Sequence, residues 1–275
     1  KVDNSLSPFN KTSIISRINR NEDVKVDNMF AEVFQLAEKI SKETDGAFDI
    51  TVAPMVNAWG FGFKTGNPPT RQTIDSLRAI VGFHTVSLQD GYVIKKNPKT
   101  MLDCSAIAKG YGTDVVARFL KKKGVQNFMV EIGGEIVVNG NSEKLQPWRI
   151  GINKPTDDSL NTNQAIQDVV SVSNIAMATS GNYRNFYYKN GKKYAHTIDP
   201  KTGYPVQHNI LSATVFADDC ATADAYATSF MVLGLDGAKK ILEKHPELCA
   251  YLIYSDQKGS NQIWYSPSLQ KKLGK

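Results

Sequence analysis

The chain has 275 residues, of which 41% are hydrophobic and 22% are charged, and this composition excludes disordered and fibrous proteins. No apolar run approaches the roughly 20 residues that a membrane-spanning helix needs, so we expect no membrane span in this sequence. The formal net charge is +6, but the lysines are scattered through predicted turns and helix ends. That distribution does not favour nucleic-acid binding.

Three cysteines, Cys104, Cys220 and Cys249, lie far apart in apolar or small-residue surroundings. Their spacing matches neither a metal site nor a disulfide framework, so we predict buried free thiols. The sequence begins at Lys1 rather than at a methionine, and we therefore expect a processed product whose targeting segment precedes this residue.

Two amphipathic helices are predicted in the first third of the chain. Asp27 can cap the first helix, which ends near Asp45-Gly46. Thr70 can cap the second helix, and Gly82 closes it. Two short apolar segments then flank Asp90-Gly91, which predicts a β-hairpin with a tight turn.

Aromatic residues alternate with glycines between Trp59 and Phe63. Such a stretch is either a loop packed over a hydrophobic core or an aromatic platform for a planar ligand. The composition alone does not choose between these two interpretations.

The stretch from Asp103 to Asp114 leads from a predicted apolar strand, Met101-Leu102, through small residues into a helix. One side of that helix suits burial because it carries Val115, Val116, Phe119 and Leu120. A helix N-terminus after such a turn exposes backbone amides that attract phosphate oxygens, and Lys109 could reach the same anion. A plain strand-to-helix turn explains the same residues, so both interpretations stay open.

The second half of the chain predicts a series of strands and two further helices. Strands are predicted at residues 128–132, 136–138, 148–152, 169–172, 175–178, 211–217, 249–254 and 262–265, the first of them buried. Residues 153–164 and 187–193 are predicted to be irregular. An alanine-rich helix from Thr222 to Gly234 precedes a shorter one from Asp236 to His245. Strands cluster, and helices fall between the clusters, which indicates an α+β fold.

Asp224 and Thr228 are four residues apart, so a carboxylate and a hydroxyl lie on the same side of the alanine-rich helix. Both are oxygen donors of the kind that Mg²⁺ accepts beside carbonyls, water and substrate phosphates. In the structural alternative, Asp224 caps a helix or forms a salt bridge, and Thr228 bonds back to its own helix.

His196 stands beside Asp199-Pro200 and a turn at Gly203, which indicates a ring at the surface of a loop. Imidazole groups titrate near neutrality and therefore suit general acid or base catalysis, although an incidental loop histidine would look the same. The sequence contains no nucleophile elbow and no Walker-type phosphate loop.

Eight segments carry a resemblance to a known family: residues 13–19, 44–51, 56–62, 102–110, 131–135, 178–183, 196–205 and 223–228. In this order they resemble the ApbE family of FAD:protein FMN transferases. The resemblance implies one domain over residues 1–275, with an α+β fold of mixed or antiparallel sheets and packed helices that is related to the T-fold. It also implies an enzyme that binds FAD and Mg²⁺, releases AMP, and attaches FMN through a phosphoester to a threonine or serine of an acceptor protein.

The resemblance further assigns roles to individual residues. Contacts with FAD are expected at Ala47, Phe48, Asp49, Asp103, Lys109 and Ile198. Mg²⁺ is expected at Asp224 and Thr228 and at the backbone carbonyls of Ala106 and Ala227. His196 matches the position proposed as the family's catalytic base, and Trp59 or Phe61 could cover the flavin.

Partners and location are also implied by the resemblance. We expect acceptor flavoproteins such as subunits of Nqr- and Rnf-type redox pumps, no nucleic-acid partner, and membrane contact only through a lipid anchor preceding Lys1. The expected location is the bacterial periplasm or the outer face of the inner membrane. Three rival functions remain: a Mg²⁺-dependent FAD pyrophosphatase that produces FMN and AMP, a non-catalytic flavin-binding protein, and a structural surface domain without a ligand.

Overall fold

The computed structural model describes residues 1–61, 68–155, 165–182, 186–189 and 192–273, with the backbone alone for 186–189 and 192–195. The chain divides into two compact units, each built from two stretches of sequence. Unit 1 comprises Lys1–Ala108 and His196–Val206, and unit 2 comprises Lys109–Ala195 and Gln207–Lys275. The single domain expected over residues 1–275 stays a prediction.

The described part of unit 1 contains five α-helices, a short 3-10 helix at Phe83–Thr85 and a β-hairpin. The elements are α1 (Val2–Leu6), α2 (Ile14–Asn19), α3 (Asn28–Glu43), α4 (Ala53–Ala58), α5 (Arg71–Arg78), β1 (Val86–Gln89) and β2 (Tyr92–Lys95). Both predicted N-caps are confirmed: Asp27 caps α3, and Thr70 caps α5, each by accepting a hydrogen bond from a backbone N–H three residues later. The helix end predicted at Gly82 is wrong, because α5 ends at Arg78 with Ala79 as its C-cap, and the N–H of Gly82 donates to the hydroxyl of Thr51 instead. The hairpin turn at Asp90-Gly91 is confirmed as well, and both of its residues have positive φ.

The strand predicted at Met101-Leu102 is wrong, because residues 101–104 form no strand. The Asn19 side chain instead bonds to both the N–H and the C=O of Leu102, at 2.7 and 2.8 Å. The N–H of Asp103 donates to the C=O of Ile50 at 2.7 Å. The side-chain amide of Asn19 thus makes the two hydrogen bonds to Leu102 that a neighbouring strand would make. The segment is therefore held in place without strand pairing.

In its described residues, unit 2 combines three helices with ten strands. The elements are α6 (Ala108–Lys122), whose first residue still belongs to unit 1, β3 (Phe128–Ile132), β4 (Glu135–Asn139), β5 (Trp148–Asn153), β6 (Ile166–Val172), β7 (Ile175–Gly181), β8 (Phe186–Lys189), β9 (Lys192–Ala195), β10 (Ile210–Ala217), α7 (Cys220–Lys244), β11 (Cys249–Ser255), β12 (Asn261–Tyr265) and α8 (Pro267–Leu273). Six strands form an antiparallel sheet in the order β12-β11-β10-β7-β4-β3, and β5-β6 and β8-β9 form separate hairpins. The α+β prediction is therefore confirmed.

The large sheet buries apolar residues on both faces, because successive side chains of a strand point to opposite sides. Val137 and Ala176 pack with Ala117 of α6 on one face. The neighbouring residues Val138 and Met177 pack on the other, in a cluster that also contains the apolar residues of the β5-β6 hairpin and Leu269 of α8. The sheet is thus the centre of unit 2.

Three predictions for unit 2 require correction. The irregular segment expected at 187–193 contains the β8-β9 hairpin. The buried strand expected at 128–132 is the edge of the sheet, and Phe128 is its one buried residue. Helix α6 does not bury Val116 and Phe119, which are exposed. It buries Gly110, Tyr111, Thr113, Asp114 and Ala117 instead.

Several other predictions are confirmed. The three cysteines are free and buried. Gly234, with φ at 72° and ψ at −179°, breaks α7 into the two helices that the sequence predicts. Within the irregular segment expected at 153–164, residues 156–164 lie outside the described part. None of the described helices combines the length and apolar composition that crossing a membrane requires.

Candidate functional site

Asp224 is buried at the contact between α7 and the start of α6. Its side chain is 3% exposed, and its Oδ2 accepts a hydrogen bond from the backbone N–H of Gly110 at 3.0 Å. A Cβ atom on Gly110 would lie 2.3 Å from the carbonyl oxygen of Cys220, so only glycine allows this approach. The close packing of the two helices brings Asp224 to the first turn of α6.

Asp114 links the same two helices one turn further along α6. Its carboxylate accepts from the N–H groups of Cys220 and Ala221, at 2.8 and 2.9 Å. These N–H groups belong to the first turn of α7, where no partner exists within the helix. Burial raises the pKa of Asp114 to about 6, while the two hydrogen bonds oppose that rise.

The electrostatics around Asp224 involve Lys109 and Glu135. Burial raises the pKa of the Asp224 carboxyl well above its usual range. The positive charge of Lys109 opposes this rise, and the negative charge of Glu135 adds to it. Lys109 forms an ion pair with Glu135 at the start of β4. The three side chains therefore form one charged cluster in unit 2.

The Lys109 side chain passes beside the turn that precedes β4. A Cβ atom on Gly133 would lie 3.4 Å from Cδ of Lys109 and also 3.4 Å from Oε2 of Glu135. The Lys109 side chain is 49% exposed, whereas that of Glu135 is 1% exposed. The buried carboxylate of Glu135 thus pairs with a lysine side chain that is half exposed to solvent. The sequence interpretation gave Glu135 no role, although an acidic residue at the head of the apolar segment 136–138 was a signal.

Thr228 lies one turn after Asp224 on α7. Its hydroxyl oxygen is 3.1 Å from the hydroxyl oxygen of Ser180 on β7. This contact differs from the expected bond back to its own helix. Ala227 beside it is fully buried. Sequence reasoning did not single out Ser180, because its relation to Thr228 arises only when β7 packs against α7.

The oxygen donors of unit 2 fit Mg²⁺ in chemical type. No group of three or more His, Cys, Asp and Glu side chains within the described ranges could hold a metal ion. Mg²⁺ does not need such a group, because one or two carboxylates together with waters and substrate phosphates commonly bind it. Asp224 and Thr228 offer a carboxylate and a hydroxyl of this kind. Ala106, the other expected carbonyl donor, lies in unit 1 in the turn before α6.

Most of the backbone N–H groups at the start of α6 already donate hydrogen bonds within the protein. The N–H groups of Ile107 and Ala108 both donate to the C=O of Cys104, at 3.0 and 2.8 Å. The N–H of Gly110 donates to Asp224. For the backbone, these contacts favour a plain turn over a turn that binds phosphate. The side chain of Lys109 is then the group that suits an anion.

In unit 1, His196 stands at the head of a loop that is closed on itself. Ile198 and Pro205 form an antiparallel bridge, and the N–H of Gly203 donates to the C=O of Asp199 at 2.8 Å. The side chain of Asp199 accepts further bonds from residues 201 and 202. These bonds define the path of the backbone that follows His196.

Two aromatic residues contact this loop. The indole N–H of Trp59 donates to the C=O of Gly203 at 2.7 Å, and Trp59 is 5% exposed. This supports the packed-loop interpretation at Trp59. The ring of Phe61 lies 6.5 Å from the ring of His196 between centroids, at an angle of 70°. Gly62 and Phe63 of the same stretch lie outside the described residues.

The residues expected to contact FAD in unit 1 are mostly buried. Ala47, Phe48 and Ile198 are core residues. The Asp49 carboxylate accepts from the N–H and the hydroxyl of Thr51, at 2.8 and 2.6 Å, and burial raises its pKa. Their roles toward FAD stay predictions.

Asp103 also has a local partner, since its carboxylate accepts from the N–H of Ser105 at 2.8 Å. The described structure therefore groups the predicted site residues by unit. Unit 2 contains Lys109, Asp224, Ala227 and Thr228. Unit 1 contains Ala47, Phe48, Asp49, Asp103, Ala106, His196 and Ile198.

Comparisons with known proteins cover nearly the whole chain. A sequence model of the ApbE family matches residues 1–253. The FAD:protein FMN transferase of Haemophilus influenzae is 40% identical over 282 residues, which cover 99% of this chain and 80% of that protein. The FAD:protein FMN transferase of Escherichia coli K12 is 35% identical over 280 residues, which cover 98% of this chain and 78% of that protein.

Solved structures show the same similarity. The flavin transferase ApbE from Vibrio cholerae aligns with a TM-score of 0.88 at 35% identity, over 98% of this chain and 86% of that chain. The flavinyl transferase ApbE of Pseudomonas stutzeri, in its apo form, aligns with a TM-score of 0.88 at 30% identity, over 100% of this chain and 85% of that chain. The fold described above is therefore that of known flavin transferases.

Proposed function

The chain belongs to the ApbE family, and on this premise we propose that it is an FAD:protein FMN transferase. The observation that carries the proposal is the similarity to proteins of that name over nearly the whole chain. In the proposed reaction FAD is the donor, and FMN becomes joined through a phosphoester to a threonine or serine of an acceptor protein. AMP is the second product.

The proposed transfer is a substitution at the phosphorus nearest riboflavin. The acceptor hydroxyl oxygen forms a bond to this phosphorus, and the bond from the phosphorus to the bridging oxygen breaks. AMP leaves with the bridging oxygen, and His196 takes the proton of the acceptor hydroxyl as a general base. The hydrogen bonds within the loop that follows His196 support this role, because they restrict the backbone next to the imidazole.

The charge of the diphosphate must be offset during this transfer. Asp224 and Thr228, together with the backbone carbonyls of Ala106 and Ala227, would hold Mg²⁺, which when bound supplies positive charge beside the phosphates. Lys109 contributes a second positive charge.

Two further side chains support these groups. Glu135 pairs with Lys109 and so restricts the positions that its ammonium group adopts. Ser180 is within hydrogen-bonding distance of the Thr228 hydroxyl and so restricts its rotation. Neither side chain needs to touch the substrate for this purpose.

The remaining site residues and the partners belong to the same proposal. Ala47, Phe48, Asp49, Asp103 and Ile198 would surround the flavin nucleotide. The acceptors would be exported flavoproteins, including subunits of Nqr- and Rnf-type redox pumps. The location would be the periplasm or the outer face of the inner membrane, with a lipid anchor.

Chromatography of the nucleotides tests the reaction. The protein is mixed with FAD and Mg²⁺, with and without an acceptor domain, and AMP and free FMN are quantified. A transferase should release AMP in proportion to the amount of acceptor, without an equal amount of free FMN. Equal amounts of FMN and AMP without acceptor would instead identify an FAD pyrophosphatase. Unchanged FAD in both mixtures would exclude catalysis and indicate a flavin-binding protein or a structural domain without a ligand.

A pair of histidine variants tests the proposed base. His196→Ala should abolish AMP release, whereas His245→Gln should retain it. His245 is a suitable control because it lies at the end of α7 and pairs with Glu247. Equal rates for the two variants would remove His196 from the mechanism.

A further inference from the structure

Two segments of unit 2, the end of α6 with the turn after it and the loop after β4, expose three large apolar side chains. Phe119 in the last turn of α6 is 56% exposed, Val125 in the following turn is 40% exposed, and Leu145 in the loop between β4 and β5 is 83% exposed. Single exposed apolar residues are ordinary, but several at one place mark an interaction surface.

Hydrogen bonds tie the two segments that carry these residues. Oδ1 of Asn127 accepts from the N–H of Asn141 at 2.9 Å, and Nδ2 of Asn139 donates to the C=O of Gln126 at 2.5 Å. The turn after α6 and the loop after β4 are therefore fixed to each other. The apolar side chains are consequently carried by two segments of unit 2 that are held together.

Leu145 is held outward by its loop in a conformation that suits glycine or asparagine better. Its φ is 57°, which is unfavourable for a branched side chain. The N–H of Leu145 donates to the C=O of Ser142 at 2.9 Å. Ser142 in turn donates to the C=O of Gln146 through its N–H at 2.8 Å and through its hydroxyl at 2.9 Å. A tight loop thus keeps a strained leucine in solvent.

Positive charge accompanies these apolar residues. Lys121, Lys122 and Lys123 follow Phe119 in sequence, and all three are exposed. Nζ of Lys123 lies 5.7 Å from the centroid of the Phe119 ring. Lys144 is exposed directly before Leu145, and Glu143 is the one acidic residue of residues 140–147.

We propose that this end patch, formed by Phe119, Val125, Leu145, Lys121, Lys122, Lys123 and Lys144, binds the surface of a bilayer that contains anionic lipids. The lysines would contact the headgroup phosphates, and the three apolar side chains would enter the boundary between headgroups and acyl chains. The inference is independent of the proposed transferase reaction. It adds a contact through the folded protein to the lipid anchor expected from the sequence.

A lipid surface fits this patch better than a protein partner does. Leu145 protrudes from a loop instead of lining a pocket, whereas protein interfaces centre on well-packed pockets with aromatic and arginine residues. The cations of the patch are all lysines, which act as flexible point charges suited to a fluid headgroup layer. The charge complementarity therefore favours anionic lipids.

Cosedimentation with vesicles tests the proposal. The chain should bind vesicles of phosphatidylcholine mixed with phosphatidylglycerol more tightly than vesicles of phosphatidylcholine alone, and added salt should weaken the binding. Replacing two lysines, Lys122→Gln with Lys123→Gln, should lower the partition coefficient roughly 25-fold, because each lysine near an anionic surface contributes about fivefold. The matched control is Lys271→Gln with Lys272→Gln, which changes the net charge equally at the exposed end of α8.

Leu145→Asn separates membrane binding from folding. Asparagine tolerates the positive φ of this position, so the midpoint of thermal unfolding should stay the same or rise. Loss of the apolar side chain should lower vesicle binding by about tenfold. A protein with intact folding and weaker binding is the expected combination.

Several results would overturn the proposal. These are equal binding to both kinds of vesicle, an equal loss in the Lys271 and Lys272 control, or unchanged binding after Leu145→Asn. If the Lys122 and Lys123 variant slows FMN transfer to a soluble acceptor domain but binds vesicles normally, the end patch is a protein-docking surface and the lipid assignment is wrong.

Discussion

Gly110 donates its backbone N–H to the buried carboxylate of Asp224 at 3.0 Å, across the contact between α6 and α7. The same glycine lies so close to α7 that a Cβ atom would be 2.3 Å from the carbonyl oxygen of Cys220. One residue without a side chain therefore sets the spacing of the two helices and the hydrogen bond of the expected metal ligand.

Gly110→Ala should destabilise the protein by about 1–3 kcal/mol, because the added methyl group meets backbone that cannot move aside without shifting α7. Urea unfolding measures this change. Gly151→Ala is the control, since the nearest atoms to its added Cβ belong to the flexible and largely exposed side chain of Ile166. Equal stability of the two variants would mean that α6 and α7 separate easily.

Asp224→Asn should lower FMN transfer by roughly 100-fold while leaving the free energy of unfolding unchanged or higher. Burial disfavours the charged form of Asp224, and the amide oxygen of asparagine can still accept from the N–H of Gly110. Steady-state transfer over a range of Mg²⁺ concentrations and thermal unfolding are the two measurements. Full activity would exclude Asp224 as a metal ligand, and a large loss of stability would make its role structural.

Lys109 and Glu135 should respond unequally to substitution. Lys109→Met leaves a buried carboxylate without its cation and should cost about 3 kcal/mol of unfolding free energy. Glu135→Gln should cost about 1 kcal/mol, because the half-exposed lysine can turn to solvent. Urea unfolding of both variants and of the double variant tests this. The prediction would be wrong if both single variants lost the same free energy of unfolding, or if the double variant were no more stable than Lys109→Met. Either result would mean that the buried Glu135 carboxylate does not depend on Lys109.

Local patterns in the sequence predicted the local features of the fold. Asp27 caps α3, the turn at Asp90-Gly91 closes a hairpin, and Gly234 divides α7. Each follows from the conformational preference of one or two residues. The buried side of α6 could not be predicted in this way. Its apolar pattern favoured Phe119, whereas the approach of α7 buries a different side of the helix, on which position 110 has no room for a Cβ atom.

The candidate site shows the same difference between features set by local sequence and features set by distant parts of the chain. Asp224 and Thr228 could be linked from helical spacing alone, since both lie on one helix. The partners of these groups come from elsewhere in the fold: Gly110 from α6 and Ser180 from β7. The pairing of Lys109 with Glu135 likewise requires that β4 lie beside the start of α6, and helical spacing does not encode such a long-range contact.

The stability of the protein should depend on pH through Asp114. Burial raises its pKa to about 6 in the folded state, compared with about 4 in an unfolded chain. Between these values the folded state binds more protons than the unfolded state, so the contribution of Asp114 to stability is fully present below about pH 4 and is lost as the pH rises to about 6.

Asp114→Asn isolates this contribution, because other titrating groups cancel in the comparison. The unfolding free energy of the unmodified protein minus that of the variant should fall by about 2 kcal/mol between pH 4 and pH 7. Urea unfolding at several pH values measures it. A difference that does not vary with pH would mean that Asp114 titrates as it does in water.

Covalent transfer of FMN to another protein can be measured through the intact mass of an acceptor domain. The domain is incubated with this protein, FAD and Mg²⁺ and then weighed by mass spectrometry. We expect a gain of one FMN, which requires Mg²⁺ and the acceptor threonine and is absent with His196→Ala. An unchanged acceptor mass, with FAD intact or split into FMN and AMP, would contradict it.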